Sequence, residues 1–478
     1  MTELDTNTLP TRSPAAPAHS LWRELVNAIR GTGADYTRIG MRRAVFLLAV
    51  PMVLELVMEA TFAVVDIYFV GKLGASAVAT VGLTETYLFL LYAIGIGLAT
   101  AVTAIVARRV GEKQSTEAGL TAVQAIFIAL LVSLPFALVG IFYARELLAL
   151  MGADAWALEQ GYRYTQWMLG GNAVIVLLFV INAVYRGAGD AAIAMRVLWI
   201  ANGINILLDP LLIFGLGPIP ALGIEGAAIA TNIGRGVGVF MQLWILFRGG
   251  RHIRALGSQL VWDTKVALNI VRTALGGIGQ MIVAMTSWIF LMRILAEAGN
   301  EAVAGATIAV RIMMFTLMPA WGLSNAAATL VGQNLGAGQP DRAESSVWLI
   351  GLYNMVFLLG VSVVYFLYYG QLMGIFTADA AVIAIGGEWL RILSYSYFVY
   401  GWWMVSVQAF NGAGDTATPT RINLVFFWLI QIPLCWYLAV PLDWQHSGVF
   451  WGVFITETSV GLFTLWLFSR GGWKTREV

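Results

Sequence analysis

Tyr185-Arg186-Gly187-Ala188-Gly189-Asp190 returns 225 residues later as Phe410-Asn411-Gly412-Ala413-Gly414-Asp415. Working outward, the same offset pairs Arg196 with Arg421, Gly223 with Gly448 and Thr231 with Thr456. Upstream it pairs Gly74, Ala77, Val78 and Ala79 with Gly299, Ala302, Val303 and Ala304, then Gly111 and Gln114 with Gly336 and Gln339. An offset that never shifts marks a tandem duplication. Each glycine-rich hexapeptide closes a long apolar run, and its glycines suit a tight turn at a helix C-terminus. Asp190 and Asp415 are expected to cap the helices that follow.

The runs between these landmarks are too long and too apolar for a water-soluble core. The 478 residues are 59% hydrophobic and 12% charged, with mean hydropathy +0.77, where soluble domains carry about a quarter charged residues. Runs of about twenty apolar residues cross a hydrocarbon core of about 30 Å as helices. They fall at 44–70, 80–107, 120–142, 162–186, 192–214, 223–247, 266–295, 302–332, 345–368, 386–411, 419–440 and 447–469. The duplicated unit thus holds six spans, an even number, and both copies insert in the same orientation. The expected fold is all-α: a polytopic membrane protein of twelve transmembrane helices, arranged as two parallel six-helix bundles around a central cavity. The divisions are an N-terminal tail over 1–43, a first lobe over 44–250, a second over 251–470 and a C-terminal tail over 471–478. The N-terminal tail, with Pro10, Pro14, Pro17 and six arginines, is expected to be mobile, with a short surface helix from Ser20 to Arg30. No apolar region with a cleavage site precedes the first span, so no cleaved signal peptide is expected.

Basic residues orient the chain. With the N-terminus inside, 21 Lys and Arg lie on the inner side and five on the outer: Lys72, Arg145, Arg163, Arg293 and Arg391. Both termini are therefore expected in the cytoplasm, in a plasma (inner) membrane. The formal net charge of +1 points to no nucleic-acid partner. Cys435 is the single cysteine, so no intrachain disulfide forms. His19, His252 and His446 are scattered, without zinc or haem spacing, and no phosphate-binding GxxxxGK[ST] loop occurs. No cofactor is expected beyond a coupling ion, H⁺ or Na⁺.

Charge inside the spans carries the chemistry. Glu55, Glu59 and Asp66 of span one stand at about 0°, 40° and 20° around the helix, a single stripe. On a lipid-facing surface three ionised carboxylates would cost roughly 7–10 kcal/mol, so the stripe faces the bundle interior or water, or is partly protonated. In span five, Asn202, Asn205 and Asp209 share a face through spacings of three and four, and offer the oxygen ligands that Na⁺ prefers. Pro51 removes a backbone hydrogen bond in span one and is a hinge candidate. Arg235 and Arg311 also fall within spans. Span seven has no acid and offers Gln280; span ten has Glu388 near its outer end; Glu457 is the mid-span acid of the second half. For an adaptable substrate surface the candidates are Gln280, Met281, Met285, Met313 and Met314, because methionine accepts varied shapes, and Tyr400, whose ring can meet an organic cation.

In this order the landmarks resemble the multidrug and toxic compound extrusion (MATE) transporters over about residues 44–470, most closely a prokaryotic DinF-like branch. They are Pro51; Val65-Asp66-Ile67-Tyr68-Phe69-Val70-Gly71; Arg186-Gly187-Ala188-Gly189-Asp190; Asn205-Ile206-Leu207-Leu208-Asp209; Gly226-Ala227-Ala228-Ile229-Ala230-Thr231; Pro319-Ala320-Trp321-Gly322; and Val331-Gly332-Gln333-Asn334-Leu335-Gly336. The resemblance implies that Asp66, Asn205, Asp209 and Thr231 converge in the first lobe as a coupling-ion site, with Na⁺ at Asp66, Asn205 and Asp209 as one possibility. Glu55, Glu59 and Asn202 are secondary candidates. It also implies a monomer in the bilayer that exports small organic cations or other amphipathic molecules by cation-coupled antiport. A flippase for lipid-linked head groups is the rival reading, but calls for more arginine in the spans. An intramembrane enzyme would need a nucleophile–base pair or metal ligands at membrane depth, and the sequence clusters neither His nor Cys.

Overall fold

The computed structural model describes residues 21–249, 253, 255 and 257–476, and among these the chain is helical apart from turns and one isolated bridge, Leu216 to Ile219. Eleven helices are long and apolar enough to cross a membrane. In the first lobe these are span one Met41–Gly71, two Ala75–Gly111, three Ser115–Leu150, four Ala157–Ala188, five Ala191–Phe214 and six Ile224–Arg248. In the second they are seven Thr264–Glu297, eight Asn300–Gly336, nine Pro340–Gly374, eleven Ala417–Ala439 and twelve Gln445–Ser469. Span ten is broken into Ala380–Ser394 and Tyr397–Gly412, each too short to cross alone. The molecule is thus two six-span bundles side by side.

The duplication is written into the backbone as well as the sequence. Span three kinks at Tyr143 (φ −127°, ψ 18°) and span nine, 225 residues on, at Tyr368 (φ −125°, ψ 20°). Span four is interrupted at Gly171 and span ten at Ser396, again the same offset. The two hexapeptide turns agree as well. Gly189 and Gly414 take φ of 87° and 84°, left-handed values open to glycine and costly for other residues. The following caps diverge. Asp190 stands at the N-cap of span five without a side-chain cap bond, whereas Asp415 accepts from the Thr418 amide at 3.3 Å and hydroxyl at 2.8 Å. The expected symmetric capping role therefore holds for Asp415 alone.

Among the described residues the closest contacts between the two bundles run from one end of the spans towards their middle. At the end carrying both chain termini, span two packs on spans seven and eight, and span one on span eight. Ala101–Ala107 and Ala326–Leu335 are buried residue after residue. Here backbones meet. A Cβ on Gly111 would lie 2.1 Å from the Gln333 carbonyl oxygen, and one on Gly336, its repeat partner, 2.2 Å from the Arg108 carbonyl oxygen. About four turns deeper, Gly97 abuts Ile278 and Gly322 abuts Val53, again a pair exchanged by the repeat. At the opposite end the helices splay. Val64, Tyr68, Phe89, Met314 and Phe315 are exposed there, and a groove of about 300 Å³ runs between spans one and eight, lined by Val57, Thr61, Val64, Phe315 and Met318.

The described parts of both tails pack on the bundles. Residues 1–20 lie outside the described residues; Leu21–Arg30 is an amphipathic helix with Leu21 and Trp22 exposed, as expected for a surface helix. The segment behind it is a strap, not a mobile tail. Tyr36 is buried against Gly189, and Arg342 of span nine donates to the Tyr36 and Ile39 carbonyls. At the other terminus Trp473 is buried, Lys474 pairs with Glu344 at 2.6 Å, and Arg476 with Asp415 at 3.3 Å.

Candidate functional site

The span-one stripe faces the interior of the first bundle, and each of its acids meets a different set of neighbours. Glu55 is buried and accepts from Asn182 at 3.2 Å and Arg186 at 3.1 Å, both on span four. Glu59, one turn on, accepts from Asn202 of span five at 3.1 Å and from Arg235 of span six at 2.9 Å. Arg235 is itself buried, with its guanidinium over the Phe62 ring. Glu55 and Glu59 are therefore both neutralised by arginine inside the bundle. Asn202 is drawn to Glu59 rather than to the other span-five candidates.

The remaining residues lie towards the open end. Asn205 donates to the Thr231 hydroxyl at 3.0 Å, joining spans five and six. Its own carbonyl oxygen is buried without a partner, and so are both carboxylate oxygens of Asp209, which is wholly buried. Asp66 of span one is half-buried and within electrostatic range of Asp209, Arg235 and Glu85. Arg235 is already committed to Glu59, so Asp66 and Asp209 are left as two carboxylates without a cation of their own. An unpaired buried carboxylate costs several kcal/mol. A proton or a small hard cation is the chemistry that three orphaned buried oxygens fit. Asp66, Asp209, Asn205 and the Thr231 hydroxyl bring side-chain oxygens to this part of the first bundle.

Two residues beyond the expected set belong to this surface. Glu85 of span two and Arg311 of span eight are both exposed and interact electrostatically across the cleft, without a bond between them. Glu85 sits in an apolar run, and that placement was the available signal; it lies on neither candidate stripe. In the second lobe Gln280 does not line the cleft. It is buried and bonds Asn411 at 2.9 Å and the Thr416 carbonyl at 3.1 Å. Met281, Met285 and Met313 are half-buried and Met314 exposed. Tyr400 is packed between Tyr397 and Trp403. Pro51 is buried within an unbroken helix. Glu388, at the open end, is bonded to His446 and Ser447.

The MatE family model matches residues 51–211 and 274–437. The chain is 26% identical to a probable multidrug resistance protein NorM of Thermotoga maritima over 92% of its length and 94% of that protein's. It is 26% identical to an FAD transporter of Shewanella oneidensis over 90% and 94%. Its fold superposes, with a TM-score of 0.85 and 23% identity, on a solved structure described as the outward-facing conformation of a multidrug resistance MATE family transporter; 94% of this chain and 99% of that one are covered.

Proposed function

The chain belongs to the MatE family of multi-pass membrane transporters, and from that premise we propose that it is a secondary-active antiporter. It expels organic cations or other amphipathic drugs in exchange for H⁺ or Na⁺. The observation that carries this reading is Asp209, whose two carboxylate oxygens are buried without any partner beside the half-buried Asp66. Two such carboxylates accept one proton or one cation far more readily than they stay bare. With both termini in the cytoplasm of a plasma-membrane protein, the closed end faces inward and the splayed end outward. This is the state in which an ion from outside reaches Asp66. Its binding removes one of the pair's two negative charges, relieves their repulsion and frees span one to reseat, with Pro51 as the hinge, so the cleft closes outside and opens inside. The protein works as a monomer, since each chain holds both bundles and the cleft between them. The flippase reading loses support, because Arg235, one of the two arginines deep in the spans, is consumed by Glu59.

The test is transport in proteoliposomes, following a fluorescent organic cation under an imposed pH gradient and, separately, an imposed Na⁺ gradient. Wild type should respond to one gradient. Asp66→Asn and Asp209→Asn should each lower the coupled rate at least ten-fold, and Pro51→Ala should slow turnover while leaving ion binding in place. Undiminished coupled transport by Asp209→Asn would refute the site.

A further inference from the structure

The second lobe holds a carboxylate for which the proposed coupling mechanism has no use. Glu457 lies midway along span twelve, Gln445–Ser469. It is half-buried and makes no hydrogen bond or ion pair among the described residues. The duplication does not supply it. The residue at its place in the first lobe is Asn232, which is engaged by the Trp167 and Ala228 carbonyls. An acid at mid-membrane that no protein cation neutralises requires either a proton or a positively charged visitor.

The surroundings of Glu457 select the visitor. Among the described residues, those it acts on electrostatically include Tyr397, Tyr400 and Cys435, none of them cationic. The aromatic rings form a continuous wall. Tyr397 stacks on Tyr400 with centroids 6.1 Å apart, and Tyr400 lies 4.8 Å from Trp403, which meets Phe427 edge-on. The wall is held in place: the Tyr397 hydroxyl bonds Thr316 at 3.2 Å on span eight. The Trp403 indole nitrogen is buried without an acceptor, so that ring is positioned by packing alone. Ring faces carry negative potential and attract cations, more strongly away from water. A hard metal ion would find one carboxylate and ring carbon, and among the described residues no three His, Cys, Asp or Glu converge. A bulky, weakly hydrated organic cation matches both the charge and the wall. Span eight links the wall to the groove, since Thr316, bonded to the Tyr397 hydroxyl, adjoins Phe315 of the groove lining.

We infer that Glu457, with Tyr400 and Trp403 and with the buried Tyr397 backing them, forms a binding subsite in the second lobe for the charged group of a monovalent organic cation. This rests on the transport reading above and assigns the substrate charge and the coupling ion to different lobes. Glu457 supplies the counter-charge; the rings supply a face that tolerates varied substituents.

The test is equilibrium binding of tritiated tetraphenylphosphonium to the purified full chain by scintillation proximity. Glu457→Gln should weaken binding at least ten-fold. Tyr400→Leu should weaken it about five-fold, whereas Tyr400→Phe, which keeps the ring and loses the hydroxyl, should bind like wild type. Wild-type affinity in Glu457→Gln would overturn the subsite and leave the transport reading standing, and so would equal affinity of Tyr400→Leu and Tyr400→Phe should the Glu457 variant fail to fold. A wild type that binds no tetraphenylphosphonium would overturn the organic-cation reading and the subsite with it.

Discussion

Glu55 and Gln280 occupy the same place in the two bundles, and so do their partners Arg186 and Asn411. The first lobe ties spans one and four with a buried ion pair, the second ties spans seven and ten with an amide pair. Removing one member of a buried ion pair leaves the other charge stranded, at a cost of about 3–5 kcal/mol, while replacing both by neutral partners can be nearly free. Glu55→Gln and Arg186→Asn should therefore each lower the melting temperature in detergent by several degrees. The double variant, which copies the second lobe into the first, should recover most of the loss; a double variant as unstable as the worse single would contradict the pairing. The sequence made the span-one stripe legible, but not that Glu55 and Glu59 would be claimed by arginines. Helical periodicity says which residues share a face. It does not say which neighbour the face meets, and Arg186 and Arg235 reach Glu55 and Glu59 from spans four and six.

Among the elements, the strap over residues 31–40 departs most from what composition implies. Its turn is held by Asp35. Partial burial opposes ionisation of this carboxyl, but the Thr37 hydroxyl and amide, with the charges of Arg38 and Lys113, hold it below the ordinary carboxylate value. A carboxyl lowered in the folded state stabilises it above the ordinary value of about 3.9 and ceases to as pH falls through the lowered one. The strap should therefore stay docked from neutral pH down to about 4 and loosen below that. Hydrogen exchange of residues 33–40, corrected for intrinsic rates, should show it, and Asp35→Asn should exchange fast already at neutral pH. Equal protection in Asp35→Asn and wild type at pH 7 would dismiss this role. Spans were readable because apolar length is a strong signal; span one, expected at 44–70, runs Met41–Gly71. The break in span ten was not, because Tyr395 and Ser396 sit inside an apolar run with no glycine or proline beside them to mark it.

For the whole molecule, the repeat offset foretold the two-bundle plan, and the structure adds where the bundles meet. No hydropathy pattern reveals that seam, since its signal is the absence of side chains at Gly97, Gly111, Gly322 and Gly336. Gly111→Ala and Gly336→Ala each place a methyl about 2 Å from a facing carbonyl, so each should bias the molecule away from closure at the terminus end, and by similar amounts because the repeat exchanges them. Spin labels on the 113–114 and 338–339 turns, read by pulsed EPR, should show the longer distance gaining at least ten-fold in population; buried Cys435 leaves introduced cysteines free to take the label. An unchanged distance distribution would mean that the seam yields locally. The seam's backbone character has a kinetic consequence. Contacts between main chains have no rotamers through which to loosen one at a time, so they part when whole helices slide, and sliding helices must displace lipid. The rate of the cycle should then follow the fluidity of the surrounding bilayer, slowing as acyl chains order even where ion and drug affinities do not change.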